Sequence, residues 1–158
     1  MPEASCDTVA SLWNYAVALH ALPDMEAAML PLQDEAGLDI PELLWMCWLE
    51  RCAEHAIDMQ ALASIRTFRL RYTEPLRAMR RDLKALATQA PRLVPMRSAI
   101  KKAELESERE SLHRLAEIER QPGAPSQTSW QQWHGELSSV HSDLIRKIRH
   151  QGRQINLE

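Results

Sequence analysis

Six cations recur along one stretch of the chain: Arg66, Arg69, Arg77, Arg80, Arg81 and Lys84. At about 100° per residue they fall within one arc of a single helix. Fifteen of the nineteen cations in the protein are Arg. A guanidinium fork binds a phosphate or carboxylate through two parallel hydrogen bonds, which a Lys ammonium cannot do. The stripe therefore points to a phosphate-bearing partner, nucleic acid included. Against that stand a net charge of −3 and the absence of a nucleic-acid-binding motif. The competing reading is that Asp and Glu of the first three helices neutralise the stripe from inside the fold.

Other residue groups offer less chemistry. Asp34, Glu35 and Asp39 gather near a turn and resemble a weak Mg²⁺ site, but Asp39 is already explained as a helix cap. Of the six His, only His134 and His141 share a helix, seven residues apart, which is too far for one ion without other ligands. No metal and no cofactor are expected. Cys6, Cys47 and Cys52 are an odd set without paired spacing, which reads as three reduced thiols. No Ser, Cys or Lys has an activating neighbour, so nucleophilic catalysis is unsupported and an enzyme is not favoured. Trp13, Tyr15, Trp45, Met46 and Trp48 can line an apolar small-molecule pocket or form plain core. Trp130, Trp133, Leu137, Leu144 and Ile148 make an amphipathic stripe near the C-terminus, suited to docking on a partner or on the chain itself.

The elements that position these groups read as helices throughout. Four Gly among 158 residues is too few for a turn-rich sheet protein. Val9, Leu12, Trp13, Ala16 and Leu19 recur at helical spacing after a cap at Thr8 or Ser11, and Pro23 closes that helix. Asp24 starts a second helix, interrupted by Pro31 and stopped by Gly37. Asp39 caps a third, whose run Leu43 to Leu49 is apolar nearly all round and so predicts a central, buried helix ending near His55. A fourth helix follows Asp58, with Leu62, Ile65, Arg69, Tyr72, Leu76, Met79, Leu83 and Leu86 spaced three and four apart as a packing seam. Pro75 should kink or split it. A charged fifth helix runs from about Met96 to Arg120, and a sixth starts at Ser129.

Charge is unevenly spread. Residues 1–60 hold eleven Asp or Glu and one cation, Arg51, whereas the remainder holds eleven acids and eighteen cations. Such asymmetry means that the halves attract each other or that the basic half faces an external anion. The first charges are acidic and no apolar run approaches the roughly 20 residues of a bilayer span, so neither a signal peptide nor a transmembrane segment is expected.

Leu12-Trp13-Asn14-Tyr15-Ala16, Leu32-Gln33-Asp34, Gly37, Asp39-Ile40 and Trp48-Leu49, with the later stretches Glu74 to Leu86 and Ile100 to Leu112, resemble a proteobacterial family of short proteins known as a domain of unknown function. The resemblance spans about residues 12–118. Pro41-Glu42 departs from the pattern, which has Asn-Leu or similar there. The resemblance implies an all-helical fold and no assigned activity.

The expectation is an all-α, irregular bundle of about five core helices plus a C-terminal amphipathic helix. Its parts are a helical core over 1–120, a linker over 121–129 and the amphipathic helix and tail over 130–158. The leading function is a non-enzymatic cytoplasmic adaptor that binds a protein partner, with homo-oligomers possible. The alternatives are anion or nucleic-acid binding through the Arg stripe and a small-molecule site among the Trp-bearing helices.

Overall fold

The structure is a computed structural model that describes Cys6 and residues 9–156, with side chains described for Cys6 and from Ser11 onward. The expected Thr8 cap and the packing of the Val9 side chain lie outside the described residues. In chain order the elements are α1 (Val9–Ala21), α2 (Met25–Asp34), α3 (Ile40–Arg51), β1 (Glu54–Ala56), α4 (Ala61–Phe68), a π-helical turn (Arg69–Thr73), α5 (Glu74–Gln89), a 3-10 turn (Pro91–Leu93), α6 (Val94–Ala116), β2 (Arg120–Pro122), α7 (Gln127–His134) and α8 (Ser139–Gly152). The fold is all-α and irregular, as the composition implies. No helix among the described residues is long and apolar enough to cross a membrane.

The chain forms two compact units: Met1–Asp58 together with Ala116–Glu158, and Met59–Leu115. The first is organised around α3. Asp39 caps that helix, its Oδ1 accepting the Glu42 amide at 2.9 Å. Pro41 sits in the first turn, where a missing N–H costs nothing. Every residue from Pro41 to Leu49 is buried. A helix apolar all round needs neighbours on all sides. α1 supplies Leu12, Tyr15, Ala16 and Leu19; α2 supplies Met25, Ala28, Met29 and Leu32; α8 supplies Ile145 and Ile148. α2 runs through Pro31 and stops at Gly37, whose φ of 67° is the left-handed conformation glycine tolerates.

Four features of this unit depart from the sequence expectation. α3 ends at Arg51, and β1 pairs antiparallel with β2, Glu54 facing Pro122 and Ala56 facing Arg120. Three-residue strands are too short to leave an alternating pattern. The stretch 121–129 is thus not wholly linker: it completes β2, and Ser126 caps α7 by accepting the Ser129 amide at 3.1 Å. The single tail helix is two. Gly135, at φ 67°, ends α7, and Ser138 caps α8 by accepting the His141 amide. The break shifts the helical register, so Ile145 and Ile148 are buried while Val140 is exposed. Finally, Cys6 and Cys52 form a disulfide, which overturns the reading of three reduced thiols; only Cys47 is free, and it is buried.

The second unit is a helical hairpin. α4, the π turn and α5 run as one rod, and α6 returns beside it. Pro75 explains the π turn. It lacks the N–H that would bond to the Arg71 carbonyl and crowds that carbonyl. The helix widens just before it, so that the Glu74 amide bonds to the Arg69 carbonyl, five residues back. Cross-hairpin pairs fix the antiparallel register: the Arg114 guanidinium lies 4.3 Å from the Phe68 ring centroid, Thr73 Oγ1 donates to Ser107 Oγ at 2.9 Å, and Arg97 Nε donates to the Arg80 carbonyl at 3.2 Å.

The packing of α8 against α1 and α3 is close enough to test. A Cβ on Gly152 would collide with the Tyr15 hydroxyl and touch Cys47 Cβ at 3.4 Å and Leu19 Cδ2 at 3.5 Å. Tyr15 is buried and cannot swing away. Gly152→Ala is expected to lower stability by about 1–3 kcal/mol in urea unfolding, the usual cost of overpacking, with helix content by circular dichroism unchanged.

Candidate functional surfaces

The residues of the predicted Arg stripe differ in burial. Arg77 is 6% exposed. Its Nε donates to Glu104 Oε1 at 3.1 Å, Nη1 to Glu74 Oε1 at 2.9 Å and Nη2 to Glu108 Oε1 at 2.8 Å. Arg80 also bonds Glu104 through Nε and Nη2, and Arg69 pairs with Glu74 at 3.6 Å. Arg66, Arg81 and Lys84 have exposed side chains. The carboxylates that pair with Arg69, Arg77 and Arg80 are Glu74, Glu104 and Glu108, all of the same hairpin. Ser107 and Ser111, both buried, close the polar layer by donating to the carbonyls of Glu104 and Ser107.

The network sets the titration of its members. Burial disfavours the Glu104 carboxylate, but hydrogen bonds from Arg80 and Arg77 outweigh it and hold the pKa below the usual range. Burial dominates at Glu108 and pushes its carboxyl up despite Arg77. Arg69 is lowered by burial and by the nearby Arg77 charge. For Arg77 the carboxylates win over burial, so it stays firmly charged. Within this network each of Arg77 and Arg80 is bonded to at least one carboxylate of the hairpin.

The hairpin's apolar seam is divided by the π turn. Leu62 and Ile65 are buried before it, and Arg69 at its first residue. One extra residue in the turn rotates everything after it by about 100°. Thr73, Arg77 and Ala87 then occupy the inward row. Tyr72, Met79 and Leu86 are left 47%, 45% and 52% exposed, with Leu76 and Leu83 half-buried beside them. Residues 72, 76, 79, 83 and 86 still alternate four and three, the spacing of a helix-packing seam. In the half of α5 centred on Met79 the only polar residues are Asp82 and Gln89.

In the first unit the C-terminal residues serve the core. Trp130 and Ile148 are fully buried, Leu137 and Leu144 are half-buried, and Trp133 Nε1 donates to Glu42 Oε1 at 3.0 Å. The opposed charges of the sequence do meet here. Arg149 Nε and Nη2 bond Glu50 at 2.9 and 3.2 Å, Arg153 Nη1 bonds Glu50 at 2.7 Å, Arg120 pairs with Glu54 at 2.8 Å, and His141 Nε2 lies 2.9 Å from Glu35. Tyr15, Trp45, Met46 and Trp48 are buried as core. Among the described residues no three His, Cys, Asp or Glu gather in a way that would hold a metal ion.

Glu104→Gln is expected to destabilise the hairpin by about 3–5 kcal/mol at neutral pH, because it strands buried guanidinium charge; Glu108→Gln should cost less. Hydrogen exchange of the hairpin amides measures both. The pH dependence follows from the signs. Glu104, with a depressed pKa, contributes stability that is complete above the ordinary glutamate value of about 4.3 and is lost as pH falls through its folded value. Glu108, with a raised pKa, acts the other way, its charged form costing stability as pH rises through its folded value.

No curated protein and no solved structure matches the chain. The family model described as a protein of unknown function (DUF2390) matches residues 11–115. That span runs from the start of α1 through α3, the core helix, to the end of the hairpin, and it covers well over half of the sequence. The chain belongs to this DUF2390 family.

Proposed function

We propose that this is a non-enzymatic protein-binding module, and that the partner its exposed face fits is a second copy of the chain. The observation that carries the proposal is the apolar seam that runs from Tyr72 in the π turn along α5, with Tyr72, Met79 and Leu86 exposed and Leu76 and Leu83 half-buried between them. Its spacing suits an antiparallel twin. A two-fold axis at Met79 brings Tyr72 opposite Leu86 and Leu76 near Leu83 across the axis. Homodimer interfaces are more apolar and poorer in charge than other surfaces, and a two-fold contact needs a self-complementary patch. The α5 face meets both requirements.

The chemistry of the remaining groups supports a binding role over a catalytic one. The carboxylates and guanidiniums inside the hairpin are committed to one another. Burial, aided by the Glu50 charge and, at Tyr15, by Cys47, pushes the Tyr15 hydroxyl and the Cys47 thiol far up, so neither is an activated nucleophile at neutral pH. The Cys6–Cys52 disulfide weighs against the cytoplasmic setting that the odd cysteine count suggested.

Sedimentation equilibrium of the full chain tests the proposal. The protein is expected to sediment as a concentration-dependent dimer, and Met79→Glu with Leu86→Glu as a monomer of unchanged helix content. A wild-type monomer at every concentration, or a dimer that survives both charges, would overturn it.

A further inference from the structure

A second surface, in the first unit, has a different chemistry. α7 and α8 enclose a groove of about 650 Å³. Its charge-bearing lining is Arg146 and Arg149 from α8 and Arg153 at that helix's C-terminal cap, with His150 beside them and His134 from α7. The rest is Gln127, Gln131, Ser142 and Ile145, and no Asp or Glu lines it. The α8 residues stand at helical spacing of three and four, so they share one face of that helix.

The basic groups are held in place. The Arg149 guanidinium lies over the Trp130 ring, 4.3 Å from its centroid, and is tied to Glu50 through Nε and Nη2. Arg153 reaches the same carboxylate through Nη1. One carboxylate against two guanidiniums leaves net positive charge behind the groove. Arg153 is 48% exposed and Arg146 71% exposed, the latter paired with Asp143 on its own helix. His134 Nδ1 lies 2.7 Å from the Gly135 carbonyl and so carries a proton there, which leaves Nε2 as the other edge of the ring. His150 Nε2 lies 3.0 Å from the Gln154 side-chain amide nitrogen, its donor.

We infer that this groove binds a small phosphate-bearing anion. The volume is that of a small-molecule site. Three arginine forks line the groove and share two carboxylates, Glu50 behind it and Asp143 beside it; the guanidinium N–H groups those bonds leave over match the oxygens of a phosphate group in geometry and charge. The inference is independent of the self-association proposed above, because it uses no residue of the hairpin.

Isothermal calorimetry on the full chain tests it, with inorganic phosphate, pyrophosphate and AMP as the probes. At least one is expected to bind saturably, with one site per chain. Phosphate or pyrophosphate alone would mark a site for the free anion; AMP as the tightest would mark one for a phosphate ester. Arg146→Gln with His134→Gln should weaken that binding by roughly tenfold or more. Neither side chain is buried, and the thermal transition without ligand should not move. No saturable binding of any of the three would overturn the inference. So would binding that the double variant leaves unchanged, or binding of an RNA oligomer with no measurable affinity for AMP or the free anions.

Discussion

One helix has to be covered on every side. α3 is buried from Pro41 to Leu49 without an outward face. The chain before it offers only α1 and α2. The missing side is closed by α8, which lies about a hundred residues further on and packs against both α2 and α3. The burial of Ile145, Ile148 and Trp130 is the local consequence, and the bonds from Arg149 and Arg153 to Glu50 hold the tail in register. Everything between must leave and return. The β1–β2 ladder ties the two passing strands together within the first unit, and Met59–Leu115 forms a hairpin unit of its own.

The hairpin meets a different constraint. Its two arms have few large apolar residues to share, and the inward row after Pro75 carries Thr73 and Arg77. Buried charge is tolerable only when it is paired and hydrogen-bonded. Arg77 achieves this with three carboxylates, and Thr73 with Ser107. Such a polar layer adds little net stability over an apolar one, yet it fixes which residues face each other. The same rotation that brings Arg77 inward turns Tyr72, Met79 and Leu86 out. The buried network and the exposed seam are thus two results of one π turn.

Several particulars were legible in advance. The Asp39 cap, the tolerance of Pro41, the central placement of α3 and a disruption at Pro75 all follow from local stereochemistry. The division of the tail at Gly135 was present in the residues too, as a glycine stop followed by a serine cap. It was masked by an amphipathic stripe that ran across the break. The two strands left no signal because three residues cannot show a period. The α7–α8 groove lay in plain sight as Arg146, Arg149 and Arg153, but those cations also suit the end of any helix. Only the fold brings them together with His134 from α7 around one groove.

The sequence by itself determined the helical class, most helix starts and the identity of the core helix. It also displayed the opposed charge of the acidic N-terminal segment and the basic remainder, which leaves open whether they pair with each other or face outward. What only the tertiary structure decided was who pairs with whom. Glu50 takes Arg149 and Arg153 from the tail, while the stripe at Arg77 and Arg80 takes Glu104 and Glu108 from its own hairpin. The disulfide between Cys6 and Cys52 was decided at the same level. Pairing depends on distances in space, and a one-residue change in helical phase at the π turn, or a tail returning to cover α3, alters those distances without altering any local pattern.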